Sequence, residues 1–467
     1  MATYDLVVIG SGPAGEKGAA QAAWAGKKVA LVEKSAPELG GACTNTGTLP
    51  SKTLRETALA LTGLSSRGLE AAVLSLPRPY AASTLMHRER LVVETERARI
   101  WRNLDRHQID LVPGLGSFVD PHTVRVRGKT SETTLTSDFF LLATGSRPHR
   151  PAWIPFDAAE VYDSDEILDI ETIPDSLIVL GSGVIASEYA CIFAALGTKV
   201  ILMDGRERLL GFLDEELGDR FAQELERLGL WLRLGDAPVR CEVDPVTRVC
   251  TVTTEKGVVE TAAAVLAAAG RSGNTEALGL EALGLVPDKR GNLAVNEHFQ
   301  TALPHVYAAG DLVGFPGLAS TSMEQGRVAM CHAFQLSYKT RVNPLFPYGI
   351  YTIPEMSYVG ATEEELKAKG IDYLVGRASM GDNARGEILG AASGFLKLLF
   401  APDKKLLGAH MLGPSATELI HLGQMALLQG ATIDLFIDAV FNYPTLSELY
   451  KYAAYDGLGA LARRAKG

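Results

Sequence analysis

The feature that most constrains this chain is a strand, glycine turn, helix, strand and acid unit that occurs twice, about 170 residues apart. The first copy has an apolar strand at residues 4–9, then Gly10-Ser11-Gly12-Pro13-Ala14-Gly15, an alanine-rich helix to Gly26, and a strand from Lys28 to Val32 that ends at Glu33, followed by Lys34. In the second, Ile178-Val179-Leu180 leads into Gly181-Ser182-Gly183-Val184-Ile185-Ala186, a helix to Gly197, and a strand from Lys199 to Met203 that ends at Asp204. Glycines in such a turn let the backbone approach a pyrophosphate at a helix N-terminus, and the acid at the second strand's end accepts ribose hydroxyls. Ala186 at the third glycine's place is tolerated, because that residue need only be small enough for helix to pack on strand. Two such units imply two dinucleotides bound at once, and FAD with a nicotinamide cofactor, NAD or NADP, is the natural pair.

At 467 residues the chain predicts about three domains. A formal charge of −10 argues against nucleic acid and anionic membrane as partners. The longest apolar stretch, Ala262 to Ala269, is far too short to span a bilayer, and Met1-Ala2-Thr3-Tyr4-Asp5 enters the first strand without a basic leader, so a cytoplasmic protein is expected. Cysteines at 43, 191, 241, 250 and 331 lack metal-ligand spacing, and no metal site is expected. Cys241 and Cys250 flank a turn at Asp244-Pro245 and could face each other across a hairpin, reduced or paired. Residues 85–107 carry Leu91, Val92, Ile100 and Leu104 at helical spacing, residues 108–142 predict a small antiparallel meander, and residues 416–429 predict a helix after several strands.

Residues 40–52, Gly-Gly-Ala-Cys-Thr-Asn-Thr-Gly-Thr-Leu-Pro-Ser-Lys, resemble the active-site segment of the flavoprotein disulfide reductases, the pyridine nucleotide-disulfide oxidoreductase family. Where that family has two cysteines separated by four residues, this chain has Cys43 and then Thr48. Its His-Pro-Thr-x-x-Glu segment resembles Tyr443-Pro444-Thr445-Leu446-Ser447-Glu448, with Tyr443 in place of the acid-base histidine. The resemblance runs from Gly10 to Tyr452 and is greatest to the soluble transhydrogenase branch, through Arg206-x-Arg208-Leu209-Leu210, Gly349-Ile350-Tyr351-Thr352-Ile353-Pro354-Glu355 and Phe441-Asn442-Tyr443-Pro444-Thr445.

The family likeness implies an α/β fold with two Rossmann-like dinucleotide-binding domains and a C-terminal α+β dimerisation domain. Residues 1–150 and 271–340 would bind FAD, residues 151–270 would bind NAD(P), and residues 341–467 would form a homodimer. It implies cofactor contacts at Gly41 and Cys43, at Thr144 and Gly145 where the chain leaves the FAD domain, at Gly270 and Arg271 where it returns, and at Gly310 and Asp311 near the ribityl chain. It pairs Lys52, read as beginning a helix after the Pro-Ser turn, with Glu188, beside the flavin. The activity implied is hydride transfer between NADPH and NAD+ through FAD without a redox disulfide; a quinone reductase or diaphorase using the same flavin is the alternative. Three side chains carry open readings. Arg206 would hold an NADP 2′-phosphate or pair with a neighbouring acid, Tyr443 would hydrogen-bond near the flavin or fill space, and Cys43 would pack against the flavin or take part in redox chemistry.

Overall fold

The structure, a computed structural model, describes residues 2–62 and 78–466. Strand β1 (Ala2–Ile9) buries Leu6 to Ile9 on both faces, as an inner parallel strand must. Helix α1 (Pro13–Trp24) starts with its proline at the first position, where a missing N–H costs nothing. Gly10 bends back at φ +104°, and a Cβ there would lie 2.3 Å from the Ala143 carbonyl oxygen, so no other residue fits this turn. β2 (Val29–Glu33) pairs parallel with β1, Leu6 opposite Val29.

Helices α2 (Gly41–Asn45), α3 (Thr48–Thr62) and α4 (Arg78–Arg106) follow. The Pro-Ser step lies inside α3 rather than before it: the helix already begins at Thr48, with Pro50 in the first turn, where its ring is harmless, so Lys52 sits one turn in. Along α4 the buried face is Met86, Glu89, Val93, Ile100 and Leu104. Leu91, expected on that face, is 42% exposed, since it lies two residues and hence about 200° around the helix from Val93.

The meander expected over 108–142 is confined to β4 (Leu115–Asp120), β5 (Thr123–Arg127) and β6 (Glu132–Leu142). β3 (Asp110–Pro113) instead lies parallel to β2, because a helical crossover returns the chain in the same direction. β6 closes the parallel core against β1.

β7 (Ser146–Pro148) leads out to a second sheet. Its strands β8 (Val161–Asp163), β9 (Ser176–Leu180), β10 (Lys199–Asp204) and β11 (Trp231–Leu234) are parallel, with α5 (Val184–Ala195) following β9 and α6 (Glu215–Arg227) following β10. An antiparallel flap of β12 (Pro238–Val243), β13 (Cys250–Thr254) and β14 (Val259–Ala262) precedes β15 (Ala264–Ala267), which inserts between β9 and β8. Cys241 faces Val252 and Cys250 faces Val243, so the two cysteines are diagonal neighbours on one buried face, and both are free thiols. β16 (Arg271–Gly273) comes back antiparallel to β7, and β17 (Val306–Ala308) rejoins the first sheet beside β6. Helix α7 (Ala319–Ala333) packs on α1 so closely that a Cβ at Gly326 would lie 2.2 Å from the Ala14 carbonyl oxygen.

The C-terminal part is an antiparallel sheet in the order β18 (Tyr348–Ile350), β19 (Met356–Gly360), β22 (Leu406–Leu412), β21 (Phe395–Phe400), β20 (Leu374–Ser379). Helices α8 (Glu363–Ala368), α9 (Ala384–Leu389), α10 (Ala416–Leu428), α11 (Asp434–Asp438) and α12 (Glu448–Arg464) complete it. Met425, Leu435, Val440, Tyr443 and Tyr455 are at least half exposed here, a concentration of apolar surface in one part of the chain. Among the described residues no helix is long and apolar enough to cross a membrane.

Candidate functional site

A cleft of about 1260 Å³ is lined by both glycine turns. On the first side, Glu33 is fixed by three donors. Ser11 gives its backbone N–H at 3.0 Å and its hydroxyl at 2.7 Å to Oε2, and Ser35 N–H reaches Oε1 at 3.1 Å. The same Ser11 oxygen accepts the Gly40 N–H at 3.0 Å, which ties the glycine turn to the segment preceding Cys43. Gly41, at φ +58°, brings α2 so near that a Cβ would stand 2.9 Å from Gly12 Cα. Gly12 N-caps α1 and Gly183 N-caps α5, neither with a side-chain cap, so the first-turn amides of both helices are left for an anion. A Cβ on Gly145 or Gly183 would meet no atom within 4 Å, as expected where backbone borders space a ligand can take. The donor set fits a dinucleotide at each turn.

Between the turns stands an ion pair. Lys52 Nζ lies 2.8 and 2.6 Å from the two carboxylate oxygens of Glu188, across 136 residues of sequence. Glu188, whose side chain is 5% exposed, also accepts the Tyr351 N–H at 3.0 Å. The Lys52 ammonium stands 4.9 Å from the centre of the Tyr351 ring, a cation–π contact that holds it over the cleft. Deeper in, Asp311 Oδ2 accepts the Ser146 hydroxyl at 2.7 Å, Ser146 accepts Arg271 Nε at 2.7 Å, and Gly310 N–H bonds Gln325 Oε1 at 2.8 Å. Thr144 and Asn274 exchange two hydrogen bonds, Thr144 Oγ1 to the Asn274 carbonyl at 2.7 Å and Asn274 Nδ2 to the Thr144 carbonyl at 2.9 Å. These contacts lock the outgoing and returning crossovers to the loop that carries Asp311.

Cys43 lines the cleft with Thr48 against it. Burial pushes the Cys43 thiol up, and neither Thr48 nor the Lys52 charge overcomes this, so it rests as a protonated thiol rather than a thiolate.

A sequence model described as pyridine nucleotide-disulphide oxidoreductase matches residues 4–326, and one for the dimerisation domain of such proteins matches residues 346–454. The chain belongs to this family. It is 46% identical over 459 residues to the soluble pyridine nucleotide transhydrogenase of Mycobacterium tuberculosis, covering 98% of this chain and 97% of that one. It is 40% identical over 462 residues to the protein of the same name from Marinobacter nauticus, covering 98% and 99%. Among solved structures, the Cu(II) complex of the HOCl-induced flavoprotein disulfide reductase RclA from Escherichia coli matches with a TM-score of 0.88 at 26% identity, over 97% of this chain and 99% of its own. LpdA from Mycobacterium tuberculosis matches with a TM-score of 0.89 at 24% identity, over 97% and 99%, a likeness of fold.

For a pyridine nucleotide-disulphide oxidoreductase, the placement of the expected residues is uneven. Gly10, Gly12, Pro13, Ala14, Glu33, Lys34, Gly41, Cys43, Lys52, Thr144, Gly145, Gly183, Val184, Ile185, Glu188, Gly270, Arg271, Gly310 and Asp311 all line the one cleft. Gly15 and Gly181 lie behind it and shape the turns. Asp204 and Arg206 lie outside the lining and pair with each other, Arg206 giving N–H at 2.8 Å and Nε at 3.1 Å to Oδ1 and Nη2 at 2.7 Å to Oδ2. Tyr443 is 75% exposed and contributes nothing to the cleft of its own chain. Sequence reasoning gave no role to Ser11, Ser146, Gln325 or Tyr351. Ser11 and Tyr351 stood in noticed segments and Ser146 directly follows Gly145, while Gln325 had no local signal.

Proposed function

We propose that the chain is a cytoplasmic flavoenzyme that transfers hydride between NADPH and NAD+ through FAD by a ping-pong cycle at a single nicotinamide site. Bound FAD supplies the chemistry, accepting hydride from one nicotinamide and returning it to another. The observation that carries this reading is the convergence of both glycine turns on one cleft with the Lys52–Glu188 pair between them. The α1 N-terminus and Gly12 hold one pyrophosphate and Glu33 takes its ribose; Gly183 to Ile185 and the α5 N-terminus hold the other. Lys52 holds a positive charge where negative charge develops on reduction, and Glu188 fixes its position. Arg271 and Ser146 orient Asp311.

A dithiol relay has no second sulfur here, since Thr48 occupies its place and the remaining cysteines are buried elsewhere. Relatives named soluble pyridine nucleotide transhydrogenase support the same choice. Residues 1–150 with 271–340 serve FAD, residues 151–270 serve NAD(P), and residues 341–467 form the homodimer, whose second copy covers the apolar surface that includes Tyr443. Five free thiols accord with a reducing cytoplasm.

The test is anaerobic. The protein is reduced with one equivalent of NADPH, freed of nucleotide and mixed with thio-NAD while flavin and thionicotinamide absorbance are followed together. Matching flavin reoxidation and thio-NADH formation is expected; a flavin that stays reduced until a quinone or oxygen arrives would replace this reading with a diaphorase. Cys43→Ser is expected to keep both half-reactions within about threefold of the unaltered protein, because a protonated, partnerless thiol carries no electrons. A hundredfold loss in stopped-flow reduction would return Cys43 to the chemistry.

A further inference from the structure

The two glycine turns of this chain each carry a serine at the same place, and the two serines do different things. Ser11 is fully buried, donates its hydroxyl to Glu33 at 2.7 Å and accepts Gly40 N–H. Ser182 is equally buried, yet its hydroxyl has no hydrogen-bond partner among the described residues. A buried hydroxyl without a partner is rare enough to require an explanation. Ser187, the other such hydroxyl in this region, lies on α5 four residues after the N-cap Gly183, whose carbonyl is the acceptor a helical serine ordinarily uses.

What Ser182 lacks is the short bond to an acid that Ser11 has. Asp204 closes the second unit as Glu33 closes the first, but it is turned onto Arg206, which takes both carboxylate oxygens. Burial works to raise the Asp204 carboxyl, but Arg206 foremost, with the nearby Ser182 hydroxyl adding to it, holds it below the usual range. Ser182 therefore faces Asp204 and already adds a weak stabilising interaction to it, at a reach too long to count as a hydrogen bond while Arg206 holds both oxygens. Arg206 has a 60% exposed side chain and is free to swing; the Asp204 side chain, at 13%, is not.

We propose that Ser182 is a specificity-determining residue that lets one site accept both NADH and NADPH by taking over Asp204 when Arg206 leaves it. This rests on the shared nicotinamide site proposed above. With NADH, the adenosine ribose hydroxyls donate to Asp204 and Arg206 turns to solvent. With NADPH, the Arg206 guanidinium moves to the 2′-phosphate, which strips Oδ2 of its donor in a mostly buried position. The Ser182 hydroxyl then rotates onto Asp204, making the bond that Ser11 already makes to Glu33 in the same chain. Without it, a mostly buried carboxylate would face the phosphate with only the Arg206 backbone N–H to hold it.

The flavin-loaded protein tests this by equilibrium titration with adenosine 2′,5′-bisphosphate and with AMP, which differ at the 2′ position. Ser182→Ala is expected to weaken the bisphosphate about tenfold, or about 1.4 kcal/mol, and AMP less than twofold, with flavin content and melting temperature unchanged. Equal weakening of both ligands, or of neither, would overturn the proposal, because a packing role does not distinguish them. In the Asp204→Asn background, where no charge is stranded, the Ser182→Ala effect is expected to fall below twofold. A tenfold loss persisting there would assign Ser182 to some other group and also overturn it. If the unaltered protein binds only one of the two ligands, the shared-site reading itself fails, whatever Ser182 does.

Discussion

Lys52→Met is expected to slow hydride exchange by a hundredfold or more while the protein still binds FAD. Two effects act in the same direction. Removing one fixed charge beside the place where negative charge develops costs on the order of 10²–10³ in rate. The substitution also leaves Glu188, a carboxylate at 5% side-chain exposure, with only the Tyr351 N–H at 3.0 Å and a long 3.4 Å contact from Ser51. An unpaired negative charge then stands in the cleft proposed to hold the flavin, in place of a neutralised pair. Breaking a buried pair from one side also costs about 3–5 kcal/mol of stability, so melting temperature should fall with the rate. The double variant Lys52→Met, Glu188→Gln separates the two effects: stability is expected to return and the rate is not, because the charge is still missing. Stopped-flow reduction by NADPH under anaerobic conditions provides the rate. If Lys52→Met reduced within threefold of the unaltered enzyme, the pair would serve only to clamp α3 to α5.

How much of this was legible in the sequence depended on distance along the chain. The two dinucleotide units could be read from residues alone, because strand, turn, helix and acid are contiguous and glycine at Gly10 is demanded by backbone geometry. The crossovers at Thr144-Gly145 and Gly270-Arg271 were expected from family likeness, but the Arg271–Ser146–Asp311 chain of bonds spans 165 residues and no local pattern announces it. Lys52 and Glu188 were paired through family likeness and not by spacing. Leu91 went astray because charged and apolar residues alternate in α4, so two nearby apolar stripes compete and only packing decides between them. β3 was misread for a related reason: four residues after a helix do not reveal which neighbour they pair with. The Asp204–Arg206 contact was visible as an alternative, being two residues apart. The idle Ser182 hydroxyl was not, since an unmade bond leaves no mark in a sequence.

The largest loss of stability is expected from a residue with no sequence signal at all. Lys397 interrupts the apolar run of β21, Phe395-Leu396-Lys397-Leu398-Leu399-Phe400, and would pass for an outward-facing charge on an edge strand, yet its side chain is 1% exposed. Its Nζ lies 2.8 Å from Asp214, 3.2 Å from Glu216 and in contact with Glu363. Asp214 caps two helices at once, accepting the Glu216 N–H of α6 at 3.2 Å and the Glu363 N–H of α8 at 3.1 Å. The lysine therefore neutralises the point where the second dinucleotide unit is bolted to the C-terminal sheet. Lys397→Met leaves Asp214, fully buried, without its cation, at a cost of about 3–5 kcal/mol. An apparent melting temperature lower by roughly 10 °C is expected, with hydrogen exchange rising first in α6, α8 and β21. Lys404→Met, which removes an exposed pair with Asp434, is the control and should cost at most about 1 kcal/mol.

Acid should open the same joint. Burial works to raise the carboxyls of Asp214, Glu216 and Glu363, but their charged partners prevail: His410 once protonated, and Lys397, at Asp214, Arg377 and Lys397 at Glu216, and Lys397 at Glu363. All three stay below the carboxylate range, Glu216 at about 2. Burial lowers His410, a fully buried imidazole whose Nε2 lies 2.9 Å from the Ala361 carbonyl oxygen. Groups with depressed folded values bind more protons when unfolded, so their contribution is complete above the unfolded values and fades as pH falls toward the folded ones. For Glu216 that window runs from about pH 4 down to about 2, and Asp214 and Glu363 lose theirs in the same direction as pH falls below the usual carboxylate values; His410 begins its loss nearer pH 6.5. Melting temperature followed from pH 7 to about 2 should therefore fall more steeply in the unaltered protein than in Lys397→Met, which has already lost the pairing that acid removes. Parallel curves would mean that the joint is held by packing and that these charges merely tolerate one another.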